Sequence, residues 1–465
     1  MQAKEKQPIE AVSNIVEKQR AFFETGATRP LSFRRRALDL LRKAIVGDEA
    51  EILKALAADL NKSAYEGYLT EIGLVLDEIR FARRRLRRWA TPKRVPTPLL
   101  HWPAASLIYP EPFGVSLVIA PWNYPFQLAV APLVAAVAAG NCVVVKPSEF
   151  SSHTASALAG IVGRAFDPAH VAVVEGDAEV SKALLDERFD KIFFTGSTRV
   201  GKIVMTAAAR QLTPVTLELG GKSPCIVAAD ADLTTAARRI AWGKFLNAGQ
   251  TCVAPDYLLV HQSIKEPLIK ATMASIKVFF GENPRQSPDY PRIINEDHFK
   301  RLTGLLRSGR IRMGGVSDAE ERYIAPTLID RVRWDDPIME EEIFGPLLPV
   351  LSFSNLDEAV EAVNKRPKPL ALYYFGRNAG DRQKVIEEAA FGGGCVNDVL
   401  LHLANPHLPF GGIGQSGMGS YHGKAGFDAF SHFKSILKRT AFPDAPLRYP
   451  PFCRWKMRLI KLLLR

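Results

Sequence analysis

Cysteine is scarce, and what there is shows no paired spacing. Cys142, Cys225, Cys252, Cys395 and Cys453 are an odd set of five, which argues against a disulfide framework or a zinc site and for a reducing, cytoplasmic compartment. Long apolar runs are missing too. The longest, Phe126 to Ala139, is too short to span a bilayer and reads as a buried helix. Met1 to Gln7 is polar with no apolar core behind it, so no secretory signal is expected. The nine histidines include a loose group, His402, His407, His422 and His432, whose spacing matches no metal template. No metal site is expected. There is no internal repeat and no low-complexity tract.

What is present is the composition of a globular protein, with 47% hydrophobic and 24% charged residues in a chain of 465, enough for two or three domains around a large core. The net charge of +12 invites an anionic partner. Much of the excess, however, lies in Arg83 to Arg94 and in the final segment, and no nucleic-acid module accompanies it. A solvated basic face is the simpler reading, and nucleic-acid binding is not expected.

Apolar positions recur at helical spacing through residues 9 to 60, with Pro30 at the entry to one run, and a long helix continues from Leu69 to Trp89. Six prolines between residues 91 and 112 exclude helix there and favour an extended crossing segment or hairpin. From Phe113 strands alternate with helices. Gly114 to Ala120, Cys142 to Lys146, Val171 to Val174 and Lys191 to Phe194 read as buried strands of a parallel, doubly wound sheet. Ligands bind at the carboxyl ends of such strands, where Lys146 and Thr195-Gly196-Ser197 fall. A second α/β region is expected from about Pro214 to residue 400, with Leu370 to Phe375 as one strand. Residues 391 to 420 read as a long ordered loop.

Three segments carry chemistry. Gly249-Gln250-Thr251-Cys252-Val253-Ala254-Pro255 presents one thiol between a glycine-led approach and a proline exit. Leu217-Glu218-Leu219-Gly220-Gly221-Lys222 sets a carboxylate between two leucines, either salt-bridged to a nearby cation or a base with a raised pKa. Pro121-Trp122-Asn123-Tyr124-Pro125 pins a side-chain amide between prolines. Nucleophile, base and oxyanion donor are what acyl chemistry at a carbonyl needs. The segment Phe194 to Lys202 leads a strand through glycine into a helix, so its backbone N–H groups can face a phosphate. It is not a magnesium-nucleotide loop, because Ile203 stands where Ser or Thr must hold the metal. A literal Gly-x-Gly-x-x-Gly at Gly412 to Gly417 has no strand before it and no apolar helix after it, and is discounted.

Together these segments resemble the aldehyde dehydrogenase superfamily, over roughly residues 10 to 440. The likeness also rests on Lys146-Pro147-Ser148-Glu149, Glu341 to Pro346, and Pro409-Phe410-Gly411-Gly412 with Ser416 to Gly419. The short N-terminus, Val253-Ala254-Pro255-Asp256-Tyr257 and Tyr421-His422-Gly423-Lys424 resemble its class 3 branch. The resemblance implies an α/β architecture: a Rossmann-like doubly wound cofactor domain (1–90 and 113–213), an α/β catalytic domain (214–400) and a small bridging or oligomerisation element (91–112 and 401–440). It implies NAD or NADP as cofactor and a homodimer. Cys252 would attack the aldehyde, Asn123 and the Cys252 N–H would hold the oxyanion, and Glu218 would activate water. Lys146 and Glu149 would meet the adenosine ribose, Gly196 and Ser197 the pyrophosphate, and Glu342 the nicotinamide ribose with Phe344 beside it. Trp122, Thr195, Gly201 and Leu219 complete the expected cofactor contacts. The expected substrates are apolar aldehydes, medium- or long-chain aliphatic or aromatic. A CoA-acylating dehydrogenase and a thiol esterase are the rivals, weakened by the presence of Glu218 and by the lack of a histidine partner for Cys252.

The tail, residues 441–465, adds one more feature. Basic residues at 454, 458, 461 and 465 form one helical stripe beside Trp455, Leu459, Leu462 and Leu463. Such a helix suits peripheral contact with the inner face of an anionic membrane, or packing on a partner subunit or over the substrate funnel.

Overall fold

The computed structural model describes residues 9–442, 444 and 446–464. Its centre is a six-stranded sheet in the order Gly417–Met418, Val215–Glu218, Lys191–Thr195, Val115–Ile119, Cys142–Lys146, Val171–Val173, parallel except at the Gly417–Met418 edge. Alternation along the strands explains why both faces are covered. Val115 and Leu117 pack with Val144, Ile192 and Phe194 against the helices Ile9–Glu24, Ala178–Asp186 and Thr198–Ala209. Val118, Val143, Val145 and Phe193 point the other way, into the core formed with Leu31–Gly47, Gly73–Ala90 and Gln127–Ala139. A strand buried on both faces must be apolar at nearly every position, as these are. Every residue of Gln127–Ala139 is buried, in keeping with its lack of a polar face.

The second sheet has seven strands in the order Arg310–Met313, Thr327–Asp330, Leu347–Phe353, Tyr257–His261, Pro224–Val227, Ala371–Phe375, Gly393–Val396. Only the Arg310–Met313 edge is antiparallel. The proline-rich segment forms Lys93–Val95 and Ala104–Pro112, which join Ser431–Arg439 in a three-stranded antiparallel sheet.

Two sequence expectations shift. Val215–Glu218 lies beyond the boundary expected at 213/214, yet it pairs with Lys191–Thr195 in the first sheet; the change of sheet falls between Glu218 and Pro224. The stretch read as one loop over 391–420 contains the strand Gly393–Val396, which pairs in register with Ala371–Tyr374. Its glycines hide a strand because a neighbouring backbone, rather than its own propensity, makes it extended. The Gly412–Gly417 decoy is a tight turn leading into the edge strand beside Glu218.

Leu133 is fully buried in the all-apolar helix. Leu133→Ala is expected to destabilise the fold by about 2–5 kcal/mol, read as a lower urea midpoint at unchanged slope.

Candidate active site

The first sheet reverses strand order beside Val115–Ile119, whose neighbours are Cys142–Lys146 and Lys191–Thr195. A crevice at such a switch point is where doubly wound sheets hold ligands. Trp122 and Asn123 follow one strand end, Lys146 closes the next, and Thr195, Gly196 and Ser197 leave the third.

Asn123 is 2% exposed, and its Nδ2 donates to the Gln250 carbonyl at 3.0 Å. Because that partner is an acceptor, the NH2 end of the amide must face the cysteine loop, and its second N–H remains for an incoming oxygen. The loop itself is bent hard. Asn247 and Ala248 both have φ near 51° and Gly249 has φ 75°. Consecutive left-handed residues are costly unless surroundings enforce them. Here Gln250 Nε2 donates to the Asn247 and Arg292 carbonyls at 3.1 and 3.0 Å, and its Oε1 accepts from Ile294 N at 3.0 Å. Thr251 Oγ1 meets the Tyr124 hydroxyl at 2.6 Å, and the Tyr373 hydroxyl donates to Val253 O at 2.5 Å. A Cβ on Gly249 would strike the Gly345 carbonyl, so only glycine lets the loop approach residues 342–345.

Cys252 is partly exposed and lines an apolar funnel together with Leu69, Leu128, Trp242, Leu246, Leu400 and Phe410 among others. Burial pushes its thiol well above the ordinary value, and the carboxylates of Glu342 and Glu218 push the same way. The backbone N–H groups of Cys252 and Val253 oppose them. Glu218 is 2% exposed, and neither carboxyl oxygen has a hydrogen-bond partner among the described residues. The salt bridge that the sequence left open is therefore not formed. Burial alone drives the Glu218 pKa far up, a perturbation that suits an acid–base group better than a structural ion.

The remaining expected residues line the same sheet edge. Lys146 Nζ lies 3.5 Å from Glu149 Oε2 and also donates to Pro147 O at 2.7 Å. Ser197 caps the helix Thr198–Ala209 by accepting from Val200 N at 3.4 Å. Gly201 meets the strand side so closely that a Cβ would come within 2.6 Å of Leu219 Cδ2, and Leu219 N donates to Ser416 O at 3.1 Å. The buried Thr195 hydroxyl has no partner among the described residues. Burial, then Asp256, pushes Glu342 up to about 8. Phe344, held at φ 51°, meets the Trp122 ring edge-on at 5.3 Å. A helix N-terminus, an unpartnered hydroxyl, a lysine–glutamate pair at a strand end and a carboxyl beside an aromatic wall suit a dinucleotide.

Sequence reasoning missed the residues that hold this site. Asn247 and Gln250 fix the loop. Lys222 Nζ ties Asp256 (2.6 Å) to the Ile338 and Glu341 carbonyls (2.9 and 2.8 Å), and Asp256 Oδ1 accepts from Ile343 N at 3.0 Å. Asn247 carried a usable signal, since asparagine tolerates the left-handed conformation better than most residues. The funnel residues, drawn from five separated segments, carried none.

A model of the aldehyde dehydrogenase family matches residues 3–436. The chain belongs to the aldehyde dehydrogenase family. It is 49% identical to 4,4'-diaponeurosporen-aldehyde dehydrogenase of Staphylococcus aureus, over 97% of this chain and 100% of that protein. It is 47% identical to the dimeric NADP-preferring aldehyde dehydrogenase of Canis lupus familiaris, over 95% of this chain and 98% of that one. A solved substrate-bound structure of Staphylococcus aureus AldH superposes with TM-score 0.96 at 49% identity, covering 98% of this chain and 99% of that one. An indole-3-acetaldehyde dehydrogenase complexed with NAD+ superposes with TM-score 0.86 at 28% identity, over 94% and 90% of the two chains. The family's oxidation of aldehydes is accordingly the reaction of this chain.

A thiol with a raised pKa gains thiolate as pH rises. In cofactor-free protein, alkylation of Cys252 by iodoacetamide is expected to accelerate about tenfold per pH unit from pH 7 to 9. Peptide mass mapping measures it, and a plateau below pH 8 contradicts the geometry.

Proposed function

We propose that this aldehyde dehydrogenase oxidises apolar aldehydes, medium- or long-chain aliphatic or aromatic, to carboxylic acids with NAD or NADP. The observation that carries the reading is that Cys252 lines a pocket whose walls are mostly apolar. Apolar walls exchange water for the substrate chain, at about 25 cal/mol per Å² of apolar surface covered. The relative from Staphylococcus aureus is named for 4,4'-diaponeurosporen-aldehyde.

In this reading Cys252 Sγ gives up its proton to solvent water and bonds to the carbonyl carbon, whose π electrons move to oxygen. The carbonyl oxygen takes the negative charge between the free N–H of Asn123 and the Cys252 backbone N–H. Bound NAD(P) supplies the acceptor for the hydride that leaves the carbon. Loss of that hydride turns the thiohemiacetal into a thioester on Cys252. Glu218 takes a proton from water, the hydroxide adds to the thioester carbon, and the C–S bond breaks to release acid and thiol. Lys146, Glu149, Thr195, Gly196, Ser197, Gly201, Leu219, Trp122, Glu342 and Phe344 hold the cofactor. Glu149 accepts from a 2′-hydroxyl, and Lys146 tolerates a 2′-phosphate.

The six-stranded sheet with its helices serves as the cofactor domain, the seven-stranded sheet as the catalytic domain, and the three-stranded sheet as the bridging element. We infer a cytoplasmic homodimer, since Ser431–Arg439 is an open sheet edge exposing Phe433, Ile436 and Leu437. No described helix is long and apolar enough to cross a membrane. The helix Arg454–Leu463 leaves Trp455 and Leu462 exposed beside Arg454, Arg458 and Lys461, which suits peripheral contact with an anionic bilayer. Arg465, the last of the basic stripe, lies outside the described residues.

Glu218→Gln separates the two chemical halves. It is expected to lower kcat about 10²–10⁴-fold while the thioester accumulates, with one NAD(P)H formed per chain. A raised carboxyl pKa also costs stability as pH rises above the unfolded value of about 4.3, so Glu218→Gln should melt higher than the parent at pH 8. Acyl-CoA formation without free acid would contradict the hydrolytic reading. Deleting residues 454–465 should reduce cosedimentation with anionic liposomes; unchanged cosedimentation removes the membrane contact.

A further inference from the structure

Beneath Asn123 and the cysteine loop lies a buried cluster of charge that none of these steps uses. Lys62, Glu66 and Glu71 come from the stretch between the helices Glu49–Leu60 and Gly73–Ala90, Glu71 from a single π-helical turn, Tyr68–Ile72. They are 2%, 7% and 0% exposed. Lys62 Nζ lies 2.5 Å from Glu71 Oε1 and 4.0 Å from the centre of the Tyr124 ring, and it donates to the Asn123 carbonyl at 3.0 Å. The other Glu71 oxygen accepts from Phe126 N and Gln127 N at 3.1 and 2.9 Å, where the chain enters the helix after Asn123. Glu66 Oε1 accepts from Asn247 N at 3.0 Å, at the head of the left-handed turn. Asn247 Nδ2 closes the set by donating to the same Asn123 carbonyl at 2.8 Å.

Such a cluster is poor value as a source of stability. Two desolvated charges roughly cancel their attraction, and apolar replacements of buried ion pairs are often neutral. Its geometry is more telling. The backbone bonds of Lys62, Glu66 and Glu71 end within residues 123–127 or on Asn247, the two segments whose relative placement sets the Asn123 amide against the Cys252 N–H. An oxyanion donor works only if it is fixed where charge will appear, to within about 0.5 Å.

We propose that Lys62, braced by Glu71, is a positioning residue for aldehyde oxidation. It holds the Asn123 carbonyl from behind and so fixes the direction of the side-chain amide, while Glu66 fixes the facing wall through Asn247. The inference rests on Asn123 being the oxyanion donor, and its effect must pass through Asn123.

A double-mutant cycle tests it. Lys62→Met should lower kcat about 10- to 100-fold with the KM for NAD(P) within about threefold. Alkylation of Cys252 by iodoacetamide, which needs no oxyanion donor, should stay within about threefold of the parent. In an Asn123→Ala background the same substitution should lower kcat less than about twofold further. A full additive loss there, or an unchanged kcat in the single variant, overturns the proposal. An Asn123→Ala enzyme with the parent kcat overturns the oxyanion reading itself, a separate outcome. Glu71→Gln keeps the acceptor for both backbone N–H groups and serves if Lys62→Met does not fold. It should give a loss of about 3- to 10-fold with the same non-additivity; additive loss or no loss overturns the proposal equally.

Discussion

Three hydrogen bonds join the segment around Asn123 to the cysteine loop: the Asn123 amide to the Gln250 carbonyl, the Asn247 amide to the Asn123 carbonyl, and Tyr124 with Thr251. Asn123 leaves a strand of the six-stranded sheet, whereas Gln250 enters one of the seven-stranded sheet. The proposed oxyanion site between Asn123 and Cys252 lies where the two sheets meet. Much of the surrounding polar bonding answers to that constraint. The cysteine loop follows the left-handed turn at 247–249, and the Gln250 side chain, Thr251 with Tyr124, and Tyr373 each pin one residue of it. Strain stored in three consecutive left-handed residues persists because the neighbours over-determine it.

The second governing fact is electrostatic. Burial raises the pKa of both the Cys252 thiol and the Glu218 carboxyl, and the Glu218 charge pushes the thiol further the same way. A protein that leaves a carboxyl buried without a partner accepts a stability cost of a few kcal/mol. That cost suits the base role proposed for Glu218, since a carboxylate satisfied by a lysine would be a weaker base. The apolar walls beside Cys252 lower the local polarity and so favour the uncharged forms of both groups.

Much of this was legible in the chain itself. Buried strands such as Cys142-Val143-Val144-Val145-Lys146 announce a covered parallel sheet, because no other element needs five apolar or terminal residues of that kind. The cysteine between Gly249 and Pro255, the carboxylate between Leu217 and Leu219, and the amide between two prolines are local patterns with local meanings. Gly393–Val396 was not legible, since only the neighbouring strand makes its glycines extended. Nor was the turn at Ala248, a residue that resists the conformation it adopts. Lys62, Glu66 and Glu71 look like ordinary helix-surface charges at their spacing. Their burial depends on residues 60 and 180 positions away, which no window along the sequence can contain.

The central claim is a covalent bond between one sulfur and the substrate carbon. Mixing the enzyme with a medium-chain aldehyde and NAD(P)+, quenching in acid within milliseconds, and mapping intact and peptide masses tests it most directly. The account predicts up to one acyl group per chain, on the peptide carrying Cys252, formed only when the dinucleotide is present. Acid produced at full rate with no acyl group on that peptide, or with the label on another cysteine, would contradict it.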